Sequence, residues 1–547
     1  MDPALQSEYG FSRKQMILGL IAVFAVYGTT AYSVQTLNIA RPRMAAELDG
    51  MPLYSWLMSI PALFGAFVTL IFGKFSDMYG RRIMLMVSLS FFLAGSVLCA
   101  ISPTFIFLIV SNCVGRIGSG ALMMLCVSVL GDMFPPLQRS KWIGLLNIPA
   151  GIFALFGPTL GGWFVDNLSW RYLYWLSVPL IGASLALVPL GIPPIKKREH
   201  TIDIRGCILM IVASSTMILG FSFAGTAYEW SSPQVISLLG TSLIFWVLFI
   251  RGEEGVKEPI LDPQVLRNRT FLTVASATLL SFFGQVGILM YFPVFLQGVQ
   301  GITALRSGQI ITPYSFFMAF VGVPVGFILA RTKRYKWMYV VGYGILTFDM
   351  AAVVFFTADT PVLWSVLVAA VAGIGLGAFP TVNTMVVQNA IPKRLLGVSM
   401  GAIFFCISMG IALAPAILGS AMNLTYQGKL KESLPAALKD VADNPAMASL
   451  GNSRVLLDPA AMASLEAAFK AEGAEGEVLF KETVQAIRVS MEAGLRSTFL
   501  ISTIAMLIAF LLICTVPEIS MEKGAEDSAP APPAAAAQQA AATGKKG

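Results

Sequence analysis

Two ionisable side chains, Arg116 and Asp349, stand in the middle of long apolar stretches. In a membrane such a charge costs at least about 2.5 kcal/mol on insertion scales, so it is a functional candidate by default. A deeply placed guanidinium and a deeply placed carboxylate can hold an ion or hand on a proton, and both are candidates for proton coupling. For Asp349 a structural pair competes with that role. A third group, Asp77, Arg81 and Arg82, is framed by Gly73 and Gly80 in a short polar turn. The glycines there permit close approach and unusual φ. Other chemistry has little to build on. His200 is the single histidine and lies in a loop, the six cysteines lack metal-ligand spacing, and no Gly-rich phosphate loop occurs. No catalytic residue, cofactor site or metal site is expected, and a receptor or enzyme would have no catalytic constellation to work with.

The elements that position these groups follow from composition. Of 547 residues 56% are hydrophobic and 12% charged, with mean hydropathy +0.75; soluble domains carry about 45–50% apolar and about 25% charged residues. Uncharged stretches of roughly 20 residues can each cross an apolar core of about 30 Å, and in lipid the backbone must satisfy its own hydrogen bonds, so they are helices. The fold class is all-α membrane protein. The spacing predicts fourteen spans, near 16–40, 53–72, 83–101, 104–130, 141–164, 172–192, 206–226, 234–250, 271–297, 307–330, 337–357, 361–387, 396–421 and 497–516. The first run follows Arg13 and Lys14 and is too long for a signal peptide.

The net charge of +7 does not point to nucleic acid, because Lys and Arg cluster at the ends of apolar runs. The short connections on the N-terminal side carry 21 of them; the opposite short loops carry four, Arg41, Arg43, Arg171 and Arg306. The basic side is the cytoplasmic one, which places both termini in the cytoplasm and the chain in a plasma (inner) membrane. All six cysteines fall within spans, so no disulfide framework is expected. Carboxylates nearer span ends, such as Asp132, Asp166 and Glu229, read as interfacial. Residues 422–496 form a long external loop with helical stretches such as Pro459–Lys470, either a cap on the outer mouth or a gate or partner dock. The Pro/Ala/Gln-rich tail over 525–547 is expected to be disordered, with Lys545 and Lys546 solvated.

The two halves resemble each other at an offset of 257 residues. Gly118 and Gly120 map onto Gly375 and Gly377, Pro135 onto Pro392, Gly144 onto Gly401, Pro158 onto Pro415 and Gly162 onto Gly419. Two six-helix bundles flanking a central site suit alternating access. The seventh and eighth spans are then an insert, giving bundles over 1–200 and 256–524, inserted helices over 201–255 and a tail over 525–547. Arg116 maps onto Gly373, and this asymmetry marks it for function rather than architecture.

Several motifs now stand in order: Asn38, Ala40 and Pro42 after the first span; Gly73, Asp77, Gly80, Arg81 and Arg82 between the second and third; Arg116, Gly118 and Gly120 in the fourth; Gly151, Gly157, Pro158, Gly161 and Gly162 in the fifth; Trp170, Arg171, Tyr172 and Pro179 at the sixth. Over almost its whole length the chain resembles the major facilitator superfamily, and within it the fourteen-span drug:proton antiporter family. The resemblance implies a conformational latch at Gly73, Asp77, Gly80, Arg81 and Arg82, with Asp77 facing a helix N-terminus of the other bundle, favourable by about 0.3–1 kcal/mol. A positive-inside anchor would use the same residues. It also implies a hinge and inter-bundle seam at Gly151, Gly157, Pro158, Gly161 and Gly162, set against the thirteenth span; small residues let helices approach and Pro kinks them. Generic tight packing is compatible with the same pattern.

The spans that line the cavity in that family offer Tyr32, Gln35, Asn38, Asn112, Met123, Phe282, Gln285, Tyr291 and Asn383 here. Such a mostly apolar pocket suits amphipathic or lipid-like small molecules. The partners implied are that substrate, protons and membrane lipids, handled by a monomer. Two positions depart from the family: Ser33 stands where an Asp is usual, and Ser119 where Gln is usual. A serine cannot carry a proton. Proton-coupled export of amphipathic or toxic compounds is the leading expectation, and movement of lipids or hydrophobic metabolites with weak or no coupling is the alternative.

Overall fold

The computed structural model describes residues 13–48, 54–134, 136–194, 203–224, 228–253, 256, 259, 261–332, 334–392, 395–435, 459–470 and 474–518. His200, the 436–458 part of the external segment and the tail over 525–547 lie outside the described residues. The first eight helices are α1 (Arg13–Glu47), α2 (Tyr54–Tyr79), α3 (Arg81–Ala100), α4 (Phe105–Met133), α5 (Pro136–Asn167), α6 (Arg171–Gly191), α7 (Ile204–Phe223) and α8 (Pro233–Glu253). They are followed by α9 (Arg269–Val299), α10 (Ala304–Phe320, resuming as Gly322–Thr332), α11 (Lys336–Val353), α12 (Val362–Ala390), α13 (Leu396–Ser433) and α14 (Ala474–Cys514). Among the described residues there is no strand, only one isolated bridge between Ala224 and Tyr228.

Thirteen of these helices are long and apolar enough to cross a membrane. The exception is α11, whose 18 residues include Lys336, Asp349 and two tyrosines, Tyr339 and Tyr343. Helix starts follow local chemistry. Thr104, Asp203, Asn268 and Thr303 each accept a bond from a free amide of the first turn of α4, α7, α9 and α10. Gly80 has φ 92°, which lets the chain leave α2 and enter α3 within one residue. Two π-helical turns, Gly287–Tyr291 and Phe295–Val299, interrupt the C-terminal end of α9.

The internal repeat is visible in the helices themselves. α4 and α12 are each 29 residues long and are displaced by the same 257 positions at both ends. α1 packs on α5 and α6, α3 on α4 and α7 on α8, while α9, α11 and α13 pack around α14. The halves meet along two seams, α2 with α13 and α5 with α10, and α7 lies against the first of these.

The segment over 422–496, expected as a 75-residue external loop, is largely helical at both ends. α13 continues to Ser433 and α14 already begins at Ala474, because these stretches keep a helical apolar face that buries Tyr426, Leu430, Ile487 and Met491. The helix Pro459–Lys470 forms with the expected bounds and packs on α14, with Phe469 and Phe480 6.0 Å apart.

Candidate functional site

The contact between the halves is built at the basic end. Asp77 ends α2 and receives Gly397 N–H at 3.0 Å and Val398 N–H at 2.9 Å. These amides belong to the first turn of α13, whose own cap position, Leu395, offers no side-chain bond. A helix start leaves four amides without partners, so Asp77 caps this one from the opposite half. Arg81, 5% exposed, fixes the carboxylate at 2.6 Å and also binds Asp132 at 2.8 Å and Ser76 at 2.5 Å. Arg82 lies half-buried at the same turn.

Backbone proximity sets the seams. A Cβ on Gly73 would stand 2.7 Å from Gly397 O and 3.1 Å from Gly401 Cα. On the other seam, a Cβ on Gly326 would stand 2.5 Å from Ser140 O and 3.3 Å from Gly144 Cα. Ser140 and Gly144 map onto Gly397 and Gly401 at the 257-residue offset, so one crossing is made twice about a pseudo-two-fold axis. Only one copy is charged: four residues after Gly73 comes Asp77, whereas four after Gly326 comes Ala330. Arg139, 2% exposed, adds an unduplicated bridge, donating to Gly131 O at 2.6 Å, Phe134 O at 3.2 Å and Gln388 Oε1 at 3.1 Å. The offset turns this pair into Leu396 against Gly131, an apolar contact. With Asn147 to Thr381 at 3.4 Å and Gln388 to Val127 O at 3.4 Å, the hydrogen bonds between the halves among the described residues all lie in the basic half. The molecule is closed at that end.

The fifth-span residues divide between two neighbours. An added Cβ on Gly151 would overlap Ala319 of α10, so the seam partner is α10, in place of the expected thirteenth span. Gly157 and Gly161 face Gln35 and Thr36 of α1 inside their own half, and Gly162 has nothing within 4 Å. The side chain of Pro158 lies outside the described residues.

The cavity that Arg116 lines is built from residues of the N-terminal half. It measures about 40 Å³ and is shared with Ser33 and Arg41 of α1, Ser96 of α3, Asn112 of α4 and Tyr174 of α6. Asn112 donates to Tyr174 Oη at 3.4 Å. Among the described residues Arg116 makes no hydrogen bond, and no carboxylate reaches it. Glu47, at the end of α1, is occupied by Arg171 at 2.5 Å and by Trp170 Nε1 at 2.9 Å.

Other expected cavity residues are spent on internal bonds. Tyr32 is 1% exposed, donates to Leu173 O at 2.9 Å and meets Phe153 edge-on. Tyr291 donates to Pro415 O at 3.1 Å, and Asn383 donates to Thr278 Oγ1 at 2.8 Å while accepting from Tyr339 Oη. In this closed state these three hold their halves together and line no open chamber. Gln35, Met123, Phe282 and Gln285 are partly exposed, with Gln285 against Met318 Sδ at 3.8 Å; the Asn38 side chain lies outside the described residues. Asp349 is 2% exposed, and its Oδ2 has no hydrogen-bond partner among the described residues. It sits in α11 of the C-terminal half, so the two mid-span candidates are kept apart.

Sequence reasoning missed Gly326, Gly397, Arg139 and Gln388. The glycine spacing of four in α10 (Gly322, Gly326) was a usable signal. The Arg139–Gln388 bridge left none, because its partners lie 249 residues apart.

Comparison with known proteins agrees with this geometry. The family model described as Major Facilitator Superfamily matches residues 20–415. Multidrug transporter protein MdtP of Bacillus subtilis is 31% identical over 447 residues, which cover 80% of either chain. Multidrug resistance protein 3 of the same organism is 27% identical, over 81% of this chain and 85% of that one. Among solved structures, the human organic anion transporter MFSD10 superposes with TM-score 0.57 at 14% identity, over 92% of this chain and 99% of that one. The proton:xylose symporter XylE superposes with TM-score 0.53 at 13% identity, over 95% and 99%.

Proposed function

The chain belongs to the Major Facilitator Superfamily and is a multi-pass membrane transporter, not an enzyme, and from that premise we propose that it exports amphipathic or toxic small molecules by proton-coupled alternating access. The observation that carries the reading is the joining of the two halves at the basic end, by a carboxylate of one half capping a helix of the other. With the basic end in the cytoplasm, this is the outward-facing end of a rocking cycle. The names of the two Bacillus relatives, both multidrug proteins, support the substrate class. In this reading α11 is the fourteenth crossing, α7 and α8 are inserted between two six-helix bundles, and the protein works as a monomer in the inner membrane.

Ser33 cannot carry a proton, which leaves Asp349, buried and short of a partner, as the carrier. One proton crossing about 150 mV supplies roughly 3.5 kcal/mol, enough for a several-hundred-fold gradient. The test is flux of positive, neutral and negative amphipathic dyes in reconstituted vesicles. Collapsing the proton gradient is expected to abolish uphill transport, and unchanged accumulation overturns coupling. Asp349→Asn is expected to retain downhill flux while losing gradient-driven accumulation; a variant that still concentrates dye removes the proton from Asp349.

A further inference from the structure

Arg41 and Arg116 line one small cavity inside the N-terminal half, and no Asp or Glu is among its described lining residues. Two like charges in a space of low dielectric repel strongly, and a buried charge is normally paired. For Arg116, no compensating charge stands among the described lining residues. Arg41 takes part in a further interaction, so Arg116 is the cation with donors to spare. A guanidinium offers five N–H groups in a planar fork that matches a carboxylate edge. Around it Ser33, Ser96, Asn112 and Tyr174 supply neutral polar groups. The nearest acid on the same helix as Arg41, Glu47, is already bound by Arg171 and Trp170.

The geometry points to an anion-binding subsite at Arg116, made for a carboxylate-sized negative group on the transported molecule. This rests on the transporter reading above and narrows its substrate class to solutes that carry such a group on an apolar body. About 40 Å³ has room for the charged group alone, since whole drug-sized ligands occupy pockets of about 300–1,000 Å³. The apolar body would lie outside this small space. Ser33 and Ser119 in the wall are neutral, whereas an acid at position 33 would neutralise the subsite.

The test is equilibrium binding of 1-pyrenebutyrate and its methyl ester to purified full-length protein in lipid nanodiscs, without a proton gradient. Coupling can therefore fail while this preference stands, and the reverse. Wild type is expected to bind the acid at least tenfold more tightly than the ester. Sodium acetate is expected to compete with the acid and leave the ester untouched, whereas a free anion bound elsewhere would compete with neither. Arg116→Gln is expected to bring acid binding down to the level of the ester, and Arg116→Lys to restore part of the difference. Equal binding of acid and ester by wild type overturns the proposal even if the variants do not fold. So does an Arg116→Gln protein that folds and keeps the preference, or acetate that fails to compete.

Discussion

Asp77→Asn is expected to open the basic end of the molecule and to shift the balance between its two states by about 30- to 150-fold. The carboxylate accepts two backbone bonds from the first turn of α13 and is braced by Arg81. Hydrogen bonds to a charged group contribute about 1.5–3 kcal/mol each, and a factor of ten corresponds to about 1.4 kcal/mol. An Asn side chain keeps one accepting oxygen but turns an N–H group toward the second amide, so one bond is lost and the other loses its charge. Arg81 keeps Asp132 as a partner, so the turn itself should survive. Spin labels at Lys141 and Arg331, both exposed at the basic ends of α5 and α10, report the change as a longer distance. A distribution matching wild type would show that Asp77 anchors the turn without latching the halves.

Gly73→Ala and Gly326→Ala are expected to reduce initial transport rates at least tenfold, each to a similar degree. In both, the added carbon meets backbone atoms that cannot step aside, 2.7 Å away at Gly397 O and 2.5 Å away at Ser140 O. Overpacking of this kind costs about 1–3 kcal/mol and falls on the closed state, in which the seams are tightest. Gly162→Ala is the matched control, since nothing lies within 4 Å of the added carbon. It should transport as wild type does. Normal rates in Gly73→Ala would mean that the α2–α13 crossing is looser in the membrane than it stands here. A defect in only one of the pair would mean that the pseudo-symmetric seams are unequal in the cycle.

How far the residues themselves announced this arrangement varies by feature. The helices, the duplication and the Asp77 turn were legible because each rests on local chemistry or on a repeat along the chain. The 257-residue offset returns as the common bounds of α4 and α12, and the glycines flanking Asp77 include Gly80, one of two with positive φ among the described residues. The choice of cavity residues was less legible. Tyr32, Tyr291 and Asn383 look like ligand-binding groups by type and depth, yet each bonds inside its own half. The side of a helix that faces a chamber differs by one residue from the side that faces a neighbour, and apolarity on all sides leaves no moment to tell them apart.

From the sequence alone came the apolar helices and their order, the basic side, the internal repeat and the two charges that do not belong in lipid; of the fourteen expected crossings, thirteen helices are long and apolar enough. These features follow from transfer energies and from the backbone's need to bond to itself, which act residue by residue. Tertiary structure decided which helices cross, that α5 meets α10 while α13 meets α2, and that Arg116 shares a small polar cavity with Arg41 in the N-terminal half while Asp349 lies in the other. Those outcomes depend on how closely two backbones approach, a property of glycine pairs hundreds of residues apart that no stretch of chain carries by itself.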